Sequence, residues 1–435
     1  IKFLFDKNHN ILKMKKYITN DDTIIFDQSF NEKLDIELIE LISAYKKLIF
    51  FDCDINEKIF EQFAYDINLN NLILSVASKF NKDVSKLPLG LTHLKFGCDF
   101  NQNVSNLPKT ITHLTFGHYF NQDVSKLPLN LIQLKFGTSF SNNVSNLPKT
   151  ITHLTFGYYF NKDVSVLPPT LTHLTLGYYF NKDVSALPPT LTHLTFGYYF
   201  NHDVSNLPRT IITINFGHMF DQDISKLPRT IKIINFGNCF NRDISKLPPT
   251  LTHLTFGSSF NRNISKLPKG ITHLTFGISF NQDISVLPSR LTHLTLGSKF
   301  NQDINVLPST LTHLTLGSKF KQQYSVPQNI KYLKLDCNNQ YIIDSLPNSI
   351  VELELNYNFN LAMDNLPTSI KKLVINPNSE YNMDLNCLPD FIEELHLNQL
   401  YNKRILHIPT NLKKIICHKD YAYKDDFTMH DIVTY

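Results

Sequence analysis

The chain has 435 residues, 42% of them hydrophobic, and a net charge of +4 with basic and acidic residues mixed throughout. That balance speaks against nucleic acid as a partner, since phosphate binding needs a concentrated basic face, and no apolar stretch approaches the roughly 18 residues of a membrane span. The six cysteines lie far apart with no CxxC pair, which suits free thiols in a reducing, cytoplasmic compartment better than a disulfide frame or a zinc site.

Residues 1–70 follow no fixed period. Asp22 to Phe26, ahead of Phe30 and Asn31, reads as an isolated strand. Ile36, Leu38, Ile39, Leu41 and Ile42 give helical spacing over 36–46, and 56–66 reads as a second helix. Strands are expected at 47–51 and 71–77 between and after them. This βαβ-like order predicts an N-terminal cap with two helices and irregular units, since a solenoid must cover its terminal sheet edge.

From residue 71 to 319 the chain repeats every 20 residues. Phe80 opens a register that returns without a break to Phe320, and the prolines from Pro88 to Pro308 keep the same spacing. A period of this size marks a solenoid whose units touch mainly their two neighbours. In the unit Leu171 to Thr190, Leu171, Leu174 and Leu176 give LxxLxL. Alternation along a strand turns Leu174 and Leu176 inward and His173 and Thr175 outward. Phe180, Val184 and Leu187 return to the core. Gly177 is expected at a turn with positive φ, and Pro188 in an extended or polyproline stretch on the back. A strand and two turns leave no room for a helix. The expected fold is a β-rich, right-handed coil with a parallel concave sheet. Phe100, Phe160 and Phe180, with the inward Asn101, Asn161 and Asn181 that follow them, are read as a structural ladder satisfying the backbone of adjacent coils.

After Phe320 the pattern loosens over 320–418. Lys321 replaces the ladder asparagine, Pro327 comes one residue early, and glycine leaves the turn. Strands are still expected at 332–335, 352–355, 372–375 and 394–397. Counting Pro327, Pro347, Pro367, Pro389 and Pro409, seventeen coils carry a proline mark. The segment 419–435 is polar and serves as a C-terminal cap or tail.

The run from Phe180-Asn-Lys-Asp-Val184 through Leu187-Pro188 and Leu191-Thr-His-Leu-Thr-Phe196-Gly-Tyr-Tyr-Phe200-Asn201 resembles the FNIP repeat. That family is a leucine-rich-repeat variant of social amoebae and of giant viruses that infect amoebae, and the resemblance spans roughly 71–415. The usual unit is slightly longer, with a Pro-Gly pair after the valine that is absent here, and Asp or Asn stands where the motif's name places proline. A tighter back turn is implied. Members often carry an N-terminal F-box that recruits a ubiquitin-ligase scaffold, which implies a Skp1-like adaptor as an alternative partner; residues 1–70 show no clear F-box.

Columns that vary between coils are the candidates for function. Three Tyr-Tyr pairs, Tyr158 and Tyr159, Tyr178 and Tyr179, Tyr198 and Tyr199, stand where the strand leaves the sheet, and tyrosine is enriched at binding hot spots. Near-identity of these units through duplication explains the same pairs without a partner. His153, His173 and His193 belong to a column of nine histidines along the strand face, at 93, 113, 153, 173, 193, 253, 273, 293 and 313. A flat row lacks the converging ligands and supporting carboxylates of a metal site and reads better as a ladder. Lys95 and Lys135 replace threonine on the same face. No catalytic signature occurs: GxSxG, P-loop, HExxH and GxGxxG are absent. The expected function is a non-enzymatic scaffold binding an unidentified protein through the concave face, with no cofactor. The alternatives are an F-box-type substrate receptor and a virion structural protein.

Overall fold

A computed structural model describes residues 17–20, 23–26, 47–50, 71–74, 80–85, 87 and 89–435. The two expected cap helices, over 36–46 and 56–66, and any F-box within 1–70 lie outside the described residues. The chain forms two compact units, Ile1–Gly217 and His218–Tyr435.

In the first unit, strands β1 (Tyr17–Asn20) and β2 (Thr23–Phe26) form an antiparallel hairpin, and β2 then pairs in parallel with β3 (Lys47–Phe50). Parallel pairing continues through β4 (Asn71–Leu74) and β5 (His93–Lys95) to β11 (Thr213–Asn215). The register never slips: His173, Leu174 and Thr175 face His193, Leu194 and Thr195. A one-residue shift would turn every core leucine to solvent, so the constant period fixes the pairing. The second unit continues in the same way from β12 (Ile233–Asn235) through β16 (His313–Leu316) to β22 (Asp431–Thr434), all neighbouring strands parallel.

Each coil encloses one layer of side chains. Leu171, Leu174, Leu176, Phe180, Val184 and Leu187 are all buried. The rings after the turn stack from coil to coil, with Phe160 and Phe180 at 6.3 Å and Phe180 and Phe200 at 6.2 Å, within 5° and 16° of parallel. A second ring from the strand lies against the first, as Phe156 does on Phe160 at 3.6 Å. Phenylalanine therefore fills two columns, offset by four residues.

Three tight turns close a coil. Phe160 N–H donates to the Gly157 carbonyl, Leu147 N–H to Val144, and Leu171 N–H to Pro168. Pro168 thus opens a turn at the end of the back segment. The glycine expectation is corrected: no positive φ occurs at these glycines. What excludes a side chain is the neighbouring coil, because a Cβ at Gly177 would stand 1.9 Å from the Gly157 carbonyl oxygen.

A short helix, α1 (Gln340–Asp344), was not expected in so small a repeat. It occurs in the loosened coil after Leu335. Asn339 caps it, accepting from Ile342 N–H at 3.4 Å, and Ile342 and Ile343 are fully buried. Farther along, Phe359, Tyr381, Tyr401 and Tyr421 carry on the ring column at 6.0, 6.4 and 6.0 Å. The Tyr421 hydroxyl donates to the Lys403 carbonyl at 2.8 Å, whereas that of Tyr381 is buried without a partner, and burial raises its pKa. The last residues form a 3₁₀ turn (Lys424–Phe427) and β22, which pairs with β21 (Lys414–Cys417). Phe427 is fully buried, and the Tyr435 hydroxyl reaches the Leu397 carbonyl at 2.8 Å. Among the described residues no helix is long and apolar enough to cross a membrane.

Candidate functional site

The outward side of the sheet carries the histidine column. Because strands pair in exact 20-residue register, the imidazoles stack face to face: His153 on His173 and His173 on His193, each at 4.2 Å. A second run joins His253, His273, His293, His313 and Tyr332 at 3.9–4.2 Å. The threonine before each ring holds it. The Thr172 hydroxyl lies 2.9 Å from His173 Nδ1 and 3.0 Å from the Thr152 carbonyl. With the hydroxyl donating to that carbonyl, Nδ1–H donates to the hydroxyl and proton uptake falls on Nε2. The threonine thus holds the ring within its own coil and also bonds to the preceding coil, while the rings themselves stack from coil to coil.

Burial lowers the pKa of His113, His173, His273, His293 and His313, and the neighbouring imidazoles lower it further. Glu352 partly opposes this at His313. The ordinary value is 6.5. Above it both folded and unfolded chains hold neutral rings and nothing is lost; as pH falls through 6.5 the unfolded chain takes up protons first, so stability drains away on acidification. The urea midpoint should therefore fall between pH 7.5 and 5.5. His273→Gln, His293→Gln and His313→Gln together should flatten that fall, glutamine being the residue that stands in the column at Gln133. Parallel pH profiles for the two proteins would contradict the assignment.

The six tyrosines form one continuous cluster in the turn after the strands. Tyr158, Tyr178 and Tyr198 stack at 4.3 and 4.7 Å, Tyr159, Tyr179 and Tyr199 at 5.6 and 5.1 Å, and the two rows meet edge to face, as Tyr158 meets Tyr179 at 5.1 Å. Tyr159 remains 52% exposed and Tyr158 38%. Desolvation and neighbouring phenols raise the pKa of Tyr158 and Tyr178. Each ring is held by at least two others, so the cluster is rigid before any partner arrives.

Lys135 sits on the strand that adjoins His153, with Thr155 as its register partner. Lys95 lies two strands farther off, across Thr115, so the two lysines flank the tyrosine coils on one side only. The asparagine column does link coils: Asn181 N–H donates to Asn161 Oδ1 at 3.0 Å and Asn121 N–H to Asn101 Oδ1 at 2.9 Å. These side chains are not inward, however. Asn101 and Asn161 are half-buried and Asn181 is exposed, because the core ring at Phe160 or Phe180 takes the interior and the next residue faces away. Among the described residues no group of three His, Cys, Asp or Glu side chains could hold a metal ion.

The paired charges of the strand face went unread in the sequence. In the later coils Lys334 pairs with Glu354, Lys372 with Glu352 at 3.4 Å, Lys414 with Glu394 at 3.6 Å, and Glu393 with both Lys371 and Lys413 at 3.0 and 2.5 Å. His396 Nε2 adds a 2.6 Å contact to Glu394. The signal was available: the sign of charge alternates from Glu352 to Lys372, Glu394 and Lys414, register partners on successive strands. These groups neutralise one another.

The FNIP repeat model matches overlapping segments from 80–119 to 280–319, and again 322–358. Among solved structures, the giant-virus protein CroV588, described as a novel circular leucine-rich-repeat protein, is 32% identical with a TM-score of 0.64, covering 93% of this chain and 77% of its own. The internalin InlF of Listeria monocytogenes is 21% identical with a TM-score of 0.47, covering 63% of this chain and 88% of its own. No curated protein sequence matches.

Proposed function

The chain belongs to the FNIP-repeat family, and from that premise we propose that it is a non-enzymatic scaffold that captures a protein partner on the outward strand face and the tyrosine cluster beside it. The leucine-rich-repeat architecture supports this reading, since a solenoid presents one extended, regular surface. The observation that carries it is the cluster itself: six mutually stacked tyrosines, partly exposed and side by side, where scattered single rings would be the ordinary surface pattern. Preordered amphipathic rings lose little freedom on binding and supply both contact area and hydroxyls.

Tyr158→Ala, Tyr178→Ala and Tyr198→Ala in one chain should abolish capture, since anchor residues of this type contribute about 2 kcal/mol or more each. The melting temperature should move little, because none of the three belongs to the core layer. Partner recovery equal to that of the unaltered protein, with the fold intact, would refute the reading.

A further inference from the structure

The outward positions of the strands from β5 to β10 (His193–Thr195) carry histidine, threonine, glutamine and lysine, and no carboxylate. His93, Lys95, His113, Thr115, Gln133, Lys135, His153, Thr155, His173, Thr175, His193 and Thr195 fill them. Lys95 and Lys135 have no ion-pair partner among the described residues. The later coils differ, since there each lysine on the face has a glutamate beside it. A solvent-facing sheet that holds unpaired cations, stacked imidazoles and no balancing acid is complementary to negative charge.

We propose that this carboxylate-free face takes an acidic, extended segment of the partner, anchored by Lys95 and Lys135 and gripped more tightly as the histidines beside them take up protons. The inference rests on the reading of the strand face as the recognition surface. Among the described residues, the ionisable groups on the strands about His173 are these. His173 lies between His153 and His193; the strand before His153 brings Lys135, and the strand after His193 brings Thr213 and Asn215, which carry no charge. The tyrosine cluster borders the turn, and the nearest acid in that turn column is Asp99, in the coil of Lys95. Unoccupied, His173 resists protonation because it is half-buried and a charge there would stand 4.2 Å from the ring on either side. A bound carboxylate row lifts that repulsion, and proton uptake and acidic-segment binding then favour each other reciprocally. Phosphate chains are a poorer match, for only two lysines and no arginine are offered, two strands apart.

The test is fluorescence anisotropy of the full chain with a labelled deca-aspartate peptide at pH 7.5 and 5.5 in low salt, with a neutral Gly-Ser decamer and a single-stranded decathymidine as comparison probes. Deca-aspartate should bind about tenfold tighter at the lower pH and lose most of that affinity in 0.5 M salt. Lys95→Gln with Lys135→Gln should weaken it severalfold at both pH values, while Lys162→Gln with Lys182→Gln, exposed lysines off the strand face and just past the tyrosine turns, should not. His153→Gln, His173→Gln and His193→Gln should remove the pH dependence and spare binding at pH 7.5. Equal losses from the two lysine pairs, a pH response untouched by the histidine changes, or tighter binding of either comparison probe would overturn the proposal. If tyrosine variants lose the partner while the lysine and histidine variants keep it, the recognition surface stands and the acidic segment falls.

Discussion

Phe160→Ala should cost the first unit about 3–5 kcal/mol. Phe160 is fully buried. It touches three other rings, with Phe156 at 3.6 Å in its own coil and Phe140 and Phe180 at 6.2 and 6.3 Å in the coils on either side. The neighbours cannot collapse into the gap, because each is fixed by its own strand and its own turn, so transfer and cavity penalties both apply in full. In a solenoid the damage spreads as a broken interface between adjacent units. Urea unfolding followed by circular dichroism should show the first transition moving to lower denaturant. A shift below about 1 kcal/mol would mean the rings do not form a continuous column.

Gly177→Ala should be nearly as damaging although it adds a single methyl. That carbon would meet the Gly157 carbonyl oxygen at 1.9 Å and its carbon at 3.0 Å, and a backbone carbonyl cannot rotate aside as a side chain can. Overpacking ordinarily costs about 1–3 kcal/mol; with backbone as the obstacle the upper end or beyond is expected. The coils must part, which also strains the bond from Tyr179 N–H to the Tyr158 carbonyl, 3.0 Å long. Gly270→Thr makes the contrast. It lies in a column where Thr190 and Thr250 donate to carbonyls of the preceding coil, and it should leave stability unchanged or raised. Equal tolerance of the two changes, measured by thermal melting, would remove the close approach as the reason for glycine.

Much of the fold was readable because the period carries so much of it. Once Leu174 and Leu194 are 20 residues apart and both must face the core, strand pairing and register follow, and with them the adjacency of the tyrosine pairs. The strands at Tyr332–Leu335, Glu352–Leu355 and Lys372–Ile375 appear where alternation placed them. Properties that depend on one coil meeting the next were harder. Gly177 looked like a turn glycine because its obstacle lies 20 residues away. The histidine column was legible as a ladder, but spacing alone does not show that its rings stack face to face. Asn181 looked inward because it follows a core ring. Helix α1 and strand β22 sit where the repeat has decayed and local patterns compete without periodic support. Of the candidate site, the tyrosines were found by their variation between coils, and the 20-residue register sets Lys135 beside the His153 strand; the face-to-face and edge-to-face geometry of the rings was not legible.

The central claim is that 20 residues make one self-contained turn of the stack, and it is tested most directly by deleting turns and fractions of turns. Removal of residues 171–190 should leave a cooperatively melting protein with an unchanged circular dichroism shape, since the coil that opens at Ile151 then runs directly into the coil that opens at Leu191. Ile151 and Leu191 are both fully buried in the same column, so the joined coils close on equivalent residues. Removal of residues 171–180 alone should destroy that transition, because strand would then follow turn out of phase. If both deletions melt alike, the stack of 20-residue coils is wrong.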